Sequence, residues 1–181
     1  MRKKIIGVMG PGEEATDHDK NIAYKLGRLI AKQGWILLSG GRNLGVMDAV
    51  NRGAKDANGL TVGIMPTSEP ETISKAVDIA IITEMKSARN NINVLSSDVV
   101  IACGMGAGTA SEIALALKAK KKVILLDQDE ETKNFFQKIG KNEVYICNNP
   151  EGIWHIGKCA FLCGCSCCTC NWSNCRIFSC Y

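Results

Sequence analysis

Glycines gather at the ends of three short apolar runs in this sequence, followed by residues able to bind an anion or carry a proton. The most informative segment covers residues 104–112 and contains Gly106, Gly108, Thr109 and Glu112. Its glycines come directly before a helical pattern, so the free N–H groups and the positive dipole end of that helix would face the loop. The segment therefore predicts a binding site for a phosphate group.

A second glycine-rich segment, residues 39–45, lies between a predicted strand and a predicted helix. It contains Gly40, Gly41 and Gly45, which let the backbone approach an anion closely because they carry no Cβ. Arg42 either makes a charge-assisted contact with that anion or is a solvated loop arginine, and the sequence leaves both interpretations open. We expect this loop to share the phosphate site.

The first segment, residues 7–12, adds Gly10 at the end of the first strand. Its sequence, Gly-Val-Met-Gly-Pro-Gly, does not match the dinucleotide motif G-x-G-x-x-G, and no acidic residue ends the second strand to hold a ribose. The phosphate loop G-x-x-x-x-G-K-[ST] is also missing from the sequence. NAD-type binding and the chemistry of P-loop NTPases are therefore disfavoured.

Thr109 and Glu112 have a spacing with two interpretations. In a capping box, a threonine and a glutamate three residues apart satisfy the free N–H groups at the start of a helix, and Glu112 would then have only a structural role. In the other interpretation, Glu112 is a carboxylate that faces the ligand. Both remain open at this stage.

The elements that must position these loops alternate in the pattern of βαβ units, which predicts an α/β fold. We expect a single domain with a Rossmann-like parallel sheet and helices on both faces. Strands are predicted at 4–9, 35–39, 60–64, 79–83, 99–103, 123–126 and 144–147, and helices at 17–33, 46–57, 85–96 and 109–119, with a short one after 150. Thr16 and Asp19 could form a capping box at the first helix. The polar loop at 67–77 either covers the site or has no role in binding.

Composition narrows the classes of function. A length of 181 residues fits one domain, and the net charge of +4 is dispersed along the chain, which disfavours a nucleic-acid-binding surface. The N-terminal apolar run at 5–9 is too short for a secretion signal, and no run of about 18 apolar residues could span a bilayer. We therefore expect a cytoplasmic protein that does not insert into membranes.

Cysteines are concentrated at the C-terminal end, where eight of the ten fall in the last 23 residues. Their spacing matches no standard zinc site, and a disulfide framework is disfavoured in a reducing cytosol. The alternatives are a thiolate cluster for a soft metal and a tail without function, and we favour the second. The predicted domain therefore covers residues 1–157, the tail covers 158–181, and no metal site is predicted.

Together, these motifs resemble the LOG family, whose members cleave cytokinin riboside 5′-monophosphates. The family signatures are G-G-x-x-G-[LV]-M, M-x-x-R-K and P-G-G-x-G-T-x-x-E, and they match in order over roughly residues 4–150. Here Gly104-Met105 replaces the Pro-Gly of the third signature, Asn90 follows Arg89 instead of lysine, and one more residue separates Arg89 from Met85. These variants look more like the branch that includes the molybdenum cofactor carrier proteins.

The resemblance implies that Arg89 and Glu112 are the catalytic residues of a hydrolase. Such an enzyme would break the N-glycosidic bond of a nucleoside 5′-monophosphate, with Glu112 opposing the positive charge that develops on the ribose ring. The alternative is a carrier of the molybdenum cofactor, a pterin phosphate, or a nucleotide sensor, in which Arg89 and Glu112 only contact the ligand. No cofactor would be required, the molybdenum cofactor would be bound cargo, and the protein would form a homodimer.

Overall fold

The structure is a computed structural model and describes residues 2–153. The predictions made for the cysteine-rich tail lie outside the described residues. Cys103 and Cys147, the two cysteines of the predicted domain, are buried and both have free thiols. Disulfides therefore do not hold the described part of the chain together.

Residues 2–153 form one parallel sheet with the strand order β4-β3-β2-β1-β5-β6-β7. The strands are β1 Ile5–Met9, β2 Ile36–Ser39, β3 Thr61–Met65, β4 Ile79–Ile82, β5 Val99–Cys103, β6 Lys122–Leu126 and β7 Val144–Cys147. The helices are α1 Asp17–Lys32, α2 Gly45–Asp56, α3 Asn90–Ser96, α4 Ala107–Lys118 and α5 Glu130–Gly140. This architecture confirms the predicted α/β class and the parallel sheet.

Hydrophobic clusters cover the two faces of the sheet. One includes Leu26 of α1 and Val50 of α2. The other includes Val94 of α3, Ile113 of α4 and Phe136 of α5. Since successive strand residues point to opposite faces, the almost wholly apolar central strands supply both clusters at once. Helices therefore lie on both faces, as predicted.

Two helical regions differ from the sequence-based prediction. The stretch predicted as a helix at 85–96 begins as a 3-10 turn, Lys86–Arg89, and continues as α3. Helix α5 was not predicted, although Asp129 marks its start by accepting a hydrogen bond from the Thr132 N–H. A parallel connection from β6 to β7 needs a crossover of this kind, so the topology could have indicated it. The predicted capping box of Thr16 and Asp19 is present at α1.

The strand order reverses between β1 and β5. The chain leaves β1 through α1 toward β2 on one side, and it leaves β5 through α4 toward β6 on the other. The loops after β1 and β5 therefore separate and leave a crevice at the carboxyl ends of the strands, where parallel α/β sheets bind ligands. The three glycine-rich segments meet at this edge.

None of the helices in the described part of the chain combines the length and the apolar character needed to cross a lipid bilayer. The expected cytoplasmic location stays a prediction.

Candidate functional site

A cleft of about 320 Å³ opens at the carboxyl ends of β1, β2 and β5. Of the residues that the sequence predicts for the site, all except Gly41 and Gly45 line this cleft. The parallel topology explains the convergence, because it brings the carboxyl ends of all strands to one edge of the sheet.

One wall of the cleft is the N-terminal end of α4. Gly106 is the N-cap residue in an extended conformation, and no side chain of residues 2–153 caps this end. A Cβ on Gly108 would meet no described atom within 4 Å, so this glycine borders open space. The N–H groups of a first helical turn have no partner inside the helix, and the helix dipole adds a positive partial charge. This wall therefore offers donors to an anion.

Thr109 is the third residue of α4 and is 2% exposed. Its Oγ1 atom is buried and has no hydrogen-bond partner in the described structure. A buried hydroxyl without a partner costs free energy, and most buried polar groups in proteins are paired. Because Thr109 lines the cleft, its unpartnered hydroxyl is a candidate contact for a ligand.

Glu112 does not cap α4, so the capping-box interpretation is wrong. The helix begins at Ala107, two residues earlier than predicted, which places Glu112 in its second turn. Its Oε1 accepts a hydrogen bond from Asn93 Nδ2 of α3 at 2.8 Å. Glu112 is 7% exposed and lines the cleft. Its carboxyl group is therefore part of the candidate site.

Burial raises the pKa of Glu112 to about 7, against the opposing effects of the Asn93 hydrogen bond and the Arg89 charge. At neutral pH the group is therefore present in both its protonated and its ionised form. A carboxyl group with such a pKa can take up or release a proton during binding or catalysis.

Arg89 ends the 3-10 turn before α3 and is 9% exposed. Its Nη1 donates a hydrogen bond to the Ile64 carbonyl oxygen at 2.8 Å. Burial lowers the pKa of Arg89 from its ordinary value, the Glu112 charge acts in the opposite direction, and the Arg42 charge adds to the lowering. A guanidinium group nevertheless stays protonated in proteins. Arg89 thus places a fixed positive charge in the wall of the cleft.

Gly41 and Gly45 lie away from the cleft lining and shape the loop after β2. Gly41 has a φ of +72°, and its N–H donates to Ser39 Oγ at 3.1 Å. Gly45 has a φ of +55°, and a Cβ there would lie 2.1 Å from the Gly12 carbonyl oxygen. Both positions favour glycine because few other residues adopt a positive φ. In this structure their role is conformational.

Gly10 and Arg42 line the cleft from the loops after β1 and β2. A Cβ on Gly10 would lie 2.4 Å from the Cys103 carbonyl oxygen, so this glycine lets the ends of β1 and β5 approach each other. Arg42 is half-buried and pairs through its backbone with Ile73. Arg42 is therefore not fully solvated, and its contact with an anion stays a prediction.

The polar loop predicted at 67–77 lies against the second glycine-rich segment. The Asn43 N–H donates to the Thr72 carbonyl oxygen at 2.8 Å, and the Ser74 N–H donates to the Gly41 carbonyl oxygen at 2.9 Å. None of its residues lines the cleft in this structure. Both interpretations of this loop stay predictions.

Some residues near the site were missed by the sequence analysis. Glu13, Glu14 and Asn90 line the cleft, and Asn93 contacts Glu112 from behind it. Asn93 stands four residues after Arg89, a helical spacing that places two side chains on the same face. That spacing could have pointed to Asn93.

A comparison with models of protein families shows the class of protein to which the chain belongs. It belongs to the SLOG cluster4 family, whose model matches residues 3–154. This match confirms the resemblance drawn from the two glycine-rich signatures and the arginine before the fifth strand.

The chain is also similar to two solved structures and to one curated relative. The molybdenum cofactor binding protein from Rippkaea orientalis is 57% identical, with a TM-score of 0.85 over 87% of this chain and 97% of that one. The molybdenum cofactor carrier protein from Chlamydomonas reinhardtii is 49% identical, with a TM-score of 0.83 over 88% of this chain and 98% of that one. The cytokinin riboside 5′-monophosphate phosphoribohydrolase of Mycobacterium tuberculosis is 33% identical over 94 residues, which cover 51% of this chain and 50% of that protein.

Proposed function

We propose that this protein carries the molybdenum cofactor as cargo and holds the phosphate group of that pterin at the N-terminal end of α4. The observation that carries the proposal is the buried, unpartnered hydroxyl of Thr109 at a helix end that no described side chain caps. The two similar structures of molybdenum cofactor proteins, at 57% and 49% identity, support the choice of cargo.

The chemistry of the lining residues fits a phosphate group at one side of the cleft. The first-turn N–H groups of α4 and the Thr109 hydroxyl would donate hydrogen bonds to its oxygens. Gly106 and Gly108 carry no side chain that would keep the ligand from the backbone. Arg42 and Arg89 add positive charge in the same cleft. We infer that the rest of the ligand lies toward Glu112.

The experiment that tests this function measures the ligand that co-purifies with the full chain. The protein is produced in cells that make the molybdenum cofactor, unfolded, and its pterin content is determined after oxidation by fluorescence and mass spectrometry. We expect a pterin phosphate in near-stoichiometric amount in the wild type and a lower amount in Thr109→Val. The affinity of this variant should be at least about tenfold weaker, since a hydrogen bond to a charged group contributes about 1.5–3 kcal/mol.

Ser111→Ala is the matched control, because it removes a hydroxyl group from the same helical turn. Ser111 is exposed, and its Oγ donates to the Gly108 carbonyl oxygen rather than facing the cleft. We expect its pterin content to equal that of the wild type. A different co-purifying ligand, or equal pterin content in Thr109→Val and the wild type, would contradict the proposal.

Hydrolysis of nucleoside 5′-monophosphates is the second candidate function, and the presence of Glu112 and Arg89 in one cleft favours it. The bond from the ribose C1′ to the base nitrogen would break, the oxygen of a water molecule would bond to C1′, and a proton would pass to the base. An ionised Glu112 would oppose the positive charge on the ribose ring and orient the water.

This second function is tested by incubating the protein with AMP or isopentenyladenosine monophosphate and measuring free base by chromatography. If the protein is a hydrolase, Glu112→Gln abolishes turnover while nucleotide binding is largely retained. If the wild type releases no base from either compound but binds them, the nucleotide sensor becomes the better description. Base release that survives Glu112→Gln would exclude the role given to this residue.

We also propose a homodimer, as the family resemblance implies, formed through the outer side of α3 and α4. Ile113 and Ala116 of α4 are fully buried. Next to them, Ala114 is exposed, Leu95 of α3 is 53% exposed, and Met85 before α3 is 47% exposed. Light scattering should give the mass of a dimer for the wild type and of a monomer for Leu95→Glu. A monomeric wild type would contradict this proposal.

A further inference from the structure

Asn93 is a buried polar residue that packing alone does not explain. Its side chain is 0% exposed where α3 packs on α4, and its Nδ2 donates to Glu112 Oε1 at 2.8 Å. Its Oδ1 is buried and has no partner among residues 2–153. A half-satisfied buried amide costs stability that an apolar side chain of similar size would not. The hydrogen bond from the Asn93 side-chain amide to Glu112 therefore indicates a role for Asn93 beyond packing.

We propose that Asn93 is a positioning residue for Glu112, which holds the carboxyl group in the wall of the cleft and favours its ionised form there. This role deepens the proposed function and rests on it in one respect, namely that Glu112 contacts the ligand. Asn93 itself does not line the cleft. It would act on the ligand only through Glu112.

Among the groups around Glu112, Asn93 contributes most to stabilising the ionised carboxyl group. Arg89 comes from the 3-10 turn before α3, Arg42 from the loop after β2, and Glu13 and Glu14 from the loop after β1, and all line the same cleft. Burial favours the neutral acid, and the two effects that oppose burial are the Asn93 hydrogen bond and, to a smaller extent, the Arg89 charge. Part of the Arg89 guanidinium is also occupied by the Ile64 carbonyl oxygen.

The role of Asn93 can be measured without any ligand, by following the carboxyl ¹³C signal of Glu112 in the full chain during a pH titration. Glu112→Gln identifies the signal by its loss. Asn93→Leu keeps the approximate size of the side chain but removes the donor. We expect Glu112 to bind its proton about tenfold more tightly in this variant, because a hydrogen bond to an ionised group contributes an effect of this order.

Asn91→Leu is the matched control for this titration. Asn91 is an exposed amide of the same helix, it does not line the cleft, and it makes no hydrogen bond with Glu112 in the described part of the chain. We expect the Glu112 titration in this variant to match the wild type. A merely structural role for Asn93 would lower stability and leave the titration midpoint in place.

An unchanged midpoint in folded Asn93→Leu would overturn the proposal. If this variant does not fold, Asn93→Ala removes the same donor without adding atoms and gives the same test. The titration can fail while the co-purifying ligand is the expected pterin, and it can succeed when the ligand is another compound. The two proposals are therefore tested separately.

Discussion

The guanidinium group of Arg89 occupies the space that the missing side chain of Gly40 leaves at the end of β2. A Cβ on Gly40 would lie 2.5 Å from Arg89 Nη1 and 2.8 Å from Nη2, which is closer than such atoms approach in proteins. Two motifs that are far apart in the sequence thus depend on each other in the fold. The glycine of the second segment allows the arginine before α3 to reach the cleft.

Gly40→Ala should displace Arg89 and weaken ligand binding. The methyl group would meet the far end of a flexible side chain, so the fold should survive at a cost of about 1–2 kcal/mol, mainly from the lost hydrogen bond to the Ile64 carbonyl oxygen. We expect at least about tenfold weaker binding of the co-purifying ligand, measured by calorimetry with the released ligand. Wild-type affinity in a folded variant would show that the Arg89 position is not needed.

Gly108→Ala provides a contrasting case in the same cleft. A Cβ there would meet no described atom within 4 Å, and alanine favours a helix over glycine by about 1 kcal/mol. We expect unchanged or slightly higher resistance to urea, together with weaker ligand binding, because the methyl group enters the space beside the phosphate. Unaltered binding would place the phosphate elsewhere.

Glu112 should make the stability of the protein depend on pH. Its pKa rises from an ordinary value of 4.5 to about 7 in the folded chain, so the folded state binds the proton more tightly than the unfolded state. The stabilising contribution of the protonated group is complete below about pH 4.5 and is lost as the pH rises through 7. The loss amounts to about 3 kcal/mol.

Glu112→Gln should therefore be more stable than the wild type at pH 8, and the difference should shrink toward pH 5. Urea unfolding at the two pH values measures this change. Glu131→Gln, which alters an exposed carboxylate on α5, is the control and should show no such pH dependence. The same stability difference at both pH values would mean that the Glu112 pKa is not raised.

A chain that ends at Gly157 should fold and bind its ligand like the full chain. Ile153 is 5% exposed and belongs to a hydrophobic core cluster, and the family model ends at residue 154. Thermal unfolding, ligand content and metal analysis of the two chains test this boundary. Stoichiometric zinc or copper that disappears on truncation, with a drop in stability, would assign a metal site to the cysteine-rich tail.

The sequence by itself determined the fold class and most of the cleft. Strands and helices follow from the local periodicity of apolar residues, and glycines after strands mark the loops at the carboxyl edge. Because a parallel sheet brings those loops to one side, Gly10, Gly40 and Gly106 could be assigned to one site before the strand order was known.

Only the tertiary structure decided which groups in this region contact each other. Gly41 and Gly45 do not line the cleft. Helix α4 begins at Ala107, so Glu112 lies in its second turn and does not cap it. Asn93 donates a hydrogen bond to the carboxyl group of Glu112. These outcomes depend on how helices pack across a sheet and on which polar atoms are removed from water. Packing and desolvation involve residues distant in the chain, so the local pattern that predicts a helix or a strand carries no information about them.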